Sequence, residues 1–232
     1  MQYLYETHCH TDESSRCGKV RGAEAAKMYK DAGYSGIVVT DHFNSYTFDK
    51  AGLTRWEDMI EHHMAGYFAA KEMEDDSFAV MYGLELRFEK ENDNDYLVYG
   101  VDEAYLRAHP FLCYMESYEA FRESGAADEL IVFQAHPFRN RMQIVRPDDL
   151  DGIEVFNGNE RHDSRCEIAF QWAKKYHLPM LSGSDFHQPQ DLARGGIVTD
   201  RQIHTMAEFM SVLREKRYSL KCSYDFPSKE IP

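Results

Sequence analysis

No apolar run in this chain approaches the roughly 20 residues needed to span a bilayer. No basic segment followed by an apolar core opens it, so neither a membrane span nor a secretory signal is expected. Positive charge is also in short supply. The formal net charge of −14 argues against broad, sequence-independent binding to long nucleic acid or an anionic membrane, both of which need a basic face. A small anionic substrate is not excluded, because bound metals and a few arginines make a local positive site inside an acidic protein. Cysteine is sparse. Cys9, Cys17, Cys113, Cys166 and Cys222 are odd in number, widely spaced and without a Cys-x-x-Cys pair, so a reducing cytoplasm fits better than a disulfide framework. With no internal repeat, low-complexity block or long linker, one domain is expected over residues 1–225, followed by a polar tail at 226–232.

Apolar residues make up 43% of the chain, with 15 Tyr and 14 Phe, which is ample for a packed core. The chain opens on an aromatic and aliphatic run ending in His8-Cys9-His10. On a β-strand, side chains alternate between faces. His8 and His10 then point the same way, about 7 Å apart along the strand, and Cys9 points the other. After a polar loop, residues 22–32 have helical composition with Gly33 as a stop. Strands are expected at 35–40, 78–88, 96–101, 130–137, 152–158, 178–187 and 196–199, and helices at 55–73, 117–123, 164–176 and 206–217. His62 and His63 fall in the long helix. Adjacent helical residues face different ways, so this pair reads as surface histidines. The alternation of short apolar strands with helical segments is the βα pattern of a parallel sheet or barrel.

Strand after strand ends in a metal-capable residue: His8 and His10, His42, Glu85, His136, then Asp185 and His187. In parallel α/β architectures the C-terminal ends of strands converge on one rim, so residues far apart in sequence meet there. His and carboxylate ligands suit zinc, manganese or iron. Seven such groups exceed what one four- to six-coordinate ion takes, so two or more divalent metal ions are expected, with Glu85 placed to bridge them.

The ordered set His8-x-His10, Thr40-Asp41-His42, Gly83-Leu84-Glu85, His136-Pro137 and Gly183-Ser184-Asp185-Phe186-His187 resembles the PHP (polymerase and histidinol phosphatase) family, over residues 8 to about 199. Residues 152–157 also look like a strand of that family. The resemblance implies an α/β fold, a distorted (β/α)7 TIM-like barrel, with a di- or trinuclear metal centre and phosphoester hydrolysis. It implies one metal at His8, His10, Glu85 and Asp185, a second at Glu85 and His136, and a third at His42 and His187. Two departures stand out. Many members carry Asp or His five residues after the first histidine pair, where this chain has Ser15; Asp12 or Glu13 are the nearby substitutes. Many place a histidine at the start of the strand after the Glu motif, where this chain has Asp95, either a ligand of the second metal or a turn residue of Asn92-Asp93-Asn94-Asp95.

Paired metals roughly 3.5–4 Å apart supply hydroxide from bound water at neutral pH, and guanidinium groups bind phosphoryl oxygens in pairs. Candidates beside the motifs are Arg16, Arg87, Arg139, Arg141 and Arg194, with Arg139 first and Arg194 second. Asp185 or His187 would hand a proton to the leaving oxygen. The expected activity is a metal-dependent phosphoric ester hydrolase acting on a small phosphorylated substrate. Histidinol-phosphate phosphatase, a nuclease or phosphatase on short nucleotides, other metal hydrolase chemistry on amides, and a non-catalytic metal-stabilised binding module are the alternatives.

Overall fold

The computed structural model describes residues 1–88 and 90–224; the expected tail at 226–232 lies outside them. The strands are β1 (Tyr3–Cys9), β2 (Gly36–Val39), β3 (His42–Phe43), β4 (Ala79–Arg87), β5 (Asp95–Tyr99), β6 (Ile131–Gln134), β7 (Gly152–Asn157), β8 (Met180–Gly183), β9 (Gly195–Thr199) and β10 (Ser219–Cys222). The helices are α1 (Gly22–Asp31), α2 (Ser45–Lys50), α3 (Trp56–Lys71), α4 (Glu103–Ala108), α5 (Tyr118–Glu123), α6 (Cys166–Tyr176) and α7 (Met206–Glu215). The expected elements are present with trimmed ends. Elements β3, α2, α4 and β10 go beyond the sequence reading. Two of these are six-residue helices begun by side-chain caps: Asn44 accepts the Thr47 N–H at 2.8 Å and Asp102 accepts the Tyr105 N–H at 2.7 Å.

The sheet order is β10-β9-β1-β2-β4-β5-β6-β7-β8, with β3 alongside β4. A parallel bridge between Cys9 and Phe186 brings the end of β1 to the segment after β8, reinforced by Phe186 N–H to His8 O (3.1 Å) and His10 N–H to Phe186 O (2.9 Å). This nearly closes a TIM-like α/β barrel, as the motifs implied. The sheet is mixed, however. β5 runs antiparallel to both β4 and β6, and β9 runs antiparallel to β1 and β10. The reversal of β5 matters for the site. The start of an antiparallel strand lies beside the end of its neighbour, and Asp95, first in β5, pairs with Arg87, last in β4. Asp95 therefore sits on the rim where the parallel strands end.

The apolar stretches fill three packed clusters. One joins α3–α6 to the outer faces of β4–β7, one joins the strands to α7, and one lies between α1 and the β1–β2–β4 surface. Phe43, Tyr96, Phe121 and Phe156 are fully buried. Among the described residues no helix is long and apolar enough to cross a membrane.

A carboxylate knots the first strand to its neighbours. Glu6 is fully buried; Oε1 accepts the backbone N–H groups of Thr7, His8 and Ser184, and Oε2 accepts the Tyr29 hydroxyl. Two of those N–H groups come from β1 itself, in the interval where its register with β2 shifts. Glu6 thus satisfies backbone donors that the irregular ladder leaves over.

Candidate metal centre

His8, His10, Glu85, Asp95, His136 and Asp185 are all buried on one rim, with His42 and His187 at its edge. His8 Nε2 lies 3.1 Å from His10 Nε2, 3.2 Å from Glu85 Oε1 and 3.5 Å from Asp185 Oδ1. His10 Nε2 lies 3.4 Å from both Glu85 Oε2 and Asp185 Oδ1. Donors about 2.0–2.2 Å from one ion stand about 3.0–3.5 Å from each other. The spacings match the edges of a coordination shell, with the two imidazole nitrogens turned toward each other at 3.1 Å. His136 Nε2 is 3.1 Å from Glu85 Oε1 and 3.8 Å from Asp95 Oδ2, so Glu85 stands between two donor groups. Nitrogens of His10, His42 and His187 form a further set within 4.8 Å of one another. Buried polar atoms are normally hydrogen-bonded. Among the described residues those left without a hydrogen bond are His42 Nδ1, Glu85 Oε2, His136 Nδ1, Arg139 Nε and Trp172 Nε1; all but the last belong to this site. The donor set fits divalent metals.

The local backbone is shaped to bring these groups together. His136 and Asp185, each just past a strand end, have φ of 29° and 50°, a region that costs energy for residues other than glycine. At Gly183, a Cβ would lie 2.5 Å from the His8 Cβ and 2.8 Å from Glu154 Oε1, so only glycine lets β8 approach the first histidine this closely.

A second layer fixes the ligand rings. His8 Nδ1 donates to Glu154 at 2.9 Å, which leaves Nε2 free for a metal. Glu154 Oε2 also accepts the His136 N–H and the Asn157 amide, each at 2.9 Å. Ser15 Oγ donates to Asp41 Oδ1 at 2.6 Å, accepts the His42 N–H at 3.0 Å and lies 3.3 Å from His10 Nδ1. Its single proton goes to Asp41, and its lone pairs face the His42 N–H and His10 Nδ1. Asp41 also accepts from the Thr11 N–H and hydroxyl, each at 2.7 Å, and burial raises its pKa to about 6 against those bonds. Asp191 accepts the N–H groups of His187 and Gln188 and is held by Arg161 at 2.8 Å.

Electrostatics match this arrangement. Burial works against charge on every group here. Even so, His42 and His8 hold Glu85 well below the usual carboxylate range, and His8, Arg139 and His187 do the same for Asp185. Burial likewise opposes protonation of His8 and His42, but facing carboxylates raise both; Asp185 lifts His187 to about 10. His10 moves the other way, depressed by burial and then by His187 and His42. Metal ligation needs neutral imidazoles, so a cation entering here replaces protons.

The sequence candidates separate in space. Arg87 binds Asp95 through two bonds of 2.7 Å, so Asp95 is a rim carboxylate rather than a turn residue. Arg139 lines the cavity and donates from Nη2 to Asp185 (2.8 Å), Asn157 (3.0 Å) and Ser164 (3.2 Å). Arg141 also lines the cavity. Arg16 and Arg194 do not; Arg194 pairs with Glu160 and the Gln190 carbonyl. Proximity in sequence to a motif does not set the direction of a long side chain. The surface assignment of His63 is corrected. It is 1% exposed, donates from Nε2 to the Asp41 carbonyl at 2.9 Å and accepts the Tyr82 hydroxyl at 2.7 Å. The pair does face different ways, but one of those ways is inward. Residues the sequence reading did not single out are Glu6, Glu154, Asn157, Arg161 and Asp191. Glu6 and Glu154 carried a signal, being lone carboxylates inside apolar strands, where an acid is expensive unless partnered.

The family model described as PHP-associated matches residues 163–218, the segment holding α6, β8, Asp185, His187, β9 and α7. The resemblance to the PHP family is borne out. The barrel is similar to that of a two-domain protein from Bacteroides vulgatus ATCC 8482, described as containing a predicted PHP-like metal-dependent phosphoesterase. The TM-score is 0.65 at 16% identity, over 96% of this chain and 65% of that one. This chain thus spans under two thirds of that relative. PsfC from Pseudomonas syringae PB-5123 is similar to the same degree, with a TM-score of 0.65 at 14% identity, over 99% of this chain and 93% of that one. No curated protein matches the sequence. At these identities the likeness shows the PHP-type barrel alone.

Proposed function

We propose that this PHP-type barrel is a metal-dependent hydrolase whose substrate is a small phosphate ester. The observation that carries the reading is the set of donor atoms from His8, His10, Glu85 and Asp185, spaced 3.1–3.5 Å apart at the base of a cation-walled cavity. His8, His10, Glu85 and Asp185 would hold one ion; Glu85, His136 and Asp95 would hold a second. When bound, such ions lower the pKa of a coordinated water and polarise phosphoryl oxygens.

The chain's own residues supply the rest. The cavity is about 530 Å³, a size for a small ligand, and Lys19, Arg87, Arg139, Arg141 and Arg161 line it. Among the described residues Arg141 and Lys19 do so without a carboxylate partner, and the Nε of Arg139 has no hydrogen bond. Arg141 and Lys19 are the groups open to phosphoryl oxygens, whereas Arg87, Arg139 and Arg161 are engaged by Asp95, Asp185 and Asp191. Arg139 additionally steadies Asp185. His187, at the cavity wall, is placed to serve the leaving oxygen as an acid.

Stripping metal with EDTA should abolish hydrolysis of p-nitrophenyl phosphate, and manganese or zinc should restore it. Full activity after thorough stripping would sink the proposal. Protein that binds metal yet turns over no ester in a phosphorylated-metabolite panel would favour a non-catalytic module instead.

A further inference from the structure

The loop between β7 and α6 grips the Asp185-x-His187 turn at both ends. Arg161 Nη1 donates to both oxygens of Asp191 at 2.8 Å. Asp191 is 4% exposed, and its Oδ2 accepts the backbone N–H groups of His187 at 3.0 Å and Gln188 at 3.1 Å. A carboxylate this buried needs a cationic partner, and among the described residues Arg161 supplies it. On the other side, Asn159 Oδ1 accepts the Arg161 N–H at 3.2 Å, and Asn159 Nδ2 lies 3.4 Å from both the carbonyl and Oδ2 of Asp185. The turn requires such a grip, because Asp185 is held at a φ of 50°. With its main chain fixed, His187 directs Nδ1 to the Asp185 carbonyl at 3.0 Å, which leaves Nε2 as the nitrogen able to act elsewhere.

We infer that Arg161 and Asp191 form a positioning pair that sets His187 for departure of the leaving group. The inference rests on the reading of His187 as the acid for the leaving oxygen. In that step the phosphorus–oxygen bond breaks and the departing oxygen takes its proton from the imidazole. Such help matters most for a basic leaving group and least for p-nitrophenolate, which is stable as an anion. The pair acts through the backbone at residues 187 and 188, and a misplacement of about 1 Å there can cost about 100-fold in rate.

The test compares phenyl phosphate with p-nitrophenyl phosphate, which differ in their leaving group, on the full, metal-loaded chain. Asp191→Asn keeps the shape but turns an amide toward Arg161. It should lower kcat for phenyl phosphate about 10–100-fold and kcat for p-nitrophenyl phosphate less than about threefold. Arg161→Gln should do the same, and the double variant should lose no more than either single one. Arg161→Lys, which keeps the charge, should recover part of the loss. The ratio of the two rates does not depend on how much protein folds. KM and the number of bound metal ions should match those of the unmodified chain. Equal losses on both esters would make the pair merely structural, a rise in KM alone would make Arg161 a substrate contact, and loss of a metal equivalent would make His187 a ligand; each overturns the assignment. No turnover of either ester by the unmodified chain would sink the hydrolase reading and the inference with it, whereas turnover without the split in the variants would sink the pair alone.

Discussion

Glu154 accepts the Nδ1 proton of His8 across 2.9 Å, and both side chains are fully buried. The carboxylate's other oxygen already receives two N–H groups, from His136 and Asn157. Glutamine in its place must aim an NH₂ at one of these donors. Glu154→Gln is therefore expected to weaken metal binding about 10–100-fold, the usual cost of losing an outer partner of a ligand histidine. Competition with a chromophoric chelator measures this. Unchanged affinity would remove Glu154 from the support of the centre.

Gly66 lies within α3, far from the ligands in sequence. A Cβ there would fall onto the Thr11 hydroxyl and within 2.9 Å of Asp41 Oδ2. Alanine for glycine inside a helix ordinarily gains roughly 0.5–1 kcal/mol. Here the collision should reverse the sign, costing about 1–3 kcal/mol as overpacking. It should also loosen the Asp41–Ser15–His10 chain. Denaturant unfolding together with metal stoichiometry reads both effects; a stabilised Gly66→Ala would contradict the packing described.

Burial depresses the pKa of His63 to about 3, against an ordinary value of 6.5, and the Tyr82 hydroxyl needs its neutral form as acceptor. In the pH interval between those values the unfolded chain binds the extra proton, so stability falls as pH falls. The contribution is complete above about pH 6.5 and drains away toward pH 3. Melting temperatures of the native chain and His63→Gln should differ by a constant amount above neutrality. The gap should narrow steadily on acidification. A gap independent of pH would show that His63 does not titrate this way.

Arg139 joins the cavity to the metal ligands through its bond to Asp185. Lysine keeps the charge but not the fork that spans Asp185, Asn157 and Ser164. Hydrogen bonds to charged groups contribute about 1.5–3 kcal/mol, so kcat/KM for a phosphate ester should fall about 10–100-fold in Arg139→Lys. Metal content should change far less. Steady-state kinetics beside elemental analysis separates the two, and equal losses in both would make Arg139 only a support for Asp185.

The strand-end histidines and acids were legible because strand-end placement is a topological property that hydrophobic patterning reveals. The position of Asp95 was half legible. It was visible as a departure, but its meaning depended on the reversed direction of β5, which alternating apolar residues do not encode. Glu154 and Glu6 stand as isolated acids in apolar strands, a pattern that says each is partnered but not by which groups. The arginines were the least legible. A guanidinium sits many bonds from its Cα, so Arg16 and Arg194 turn away from the cavity while Arg87 is captured by an acid across the hairpin register. Pairing of His62 with His63 hid the inward role of the second, because the face a helix buries is chosen by its neighbours.

The bridge between Cys9 and Phe186 joins the first strand to the segment after the eighth. Every contact that brings His8 and His10 to Asp185 and His187 is thus of very high sequence separation, the kind that slows folding because long loops must close first. During synthesis, a chain whose residues 183–187 are still inside the ribosome presents its first histidines without their partners. The donor set is complete only when the ring shuts, so an ion held there would report closure of the barrel rather than formation of its separate strands.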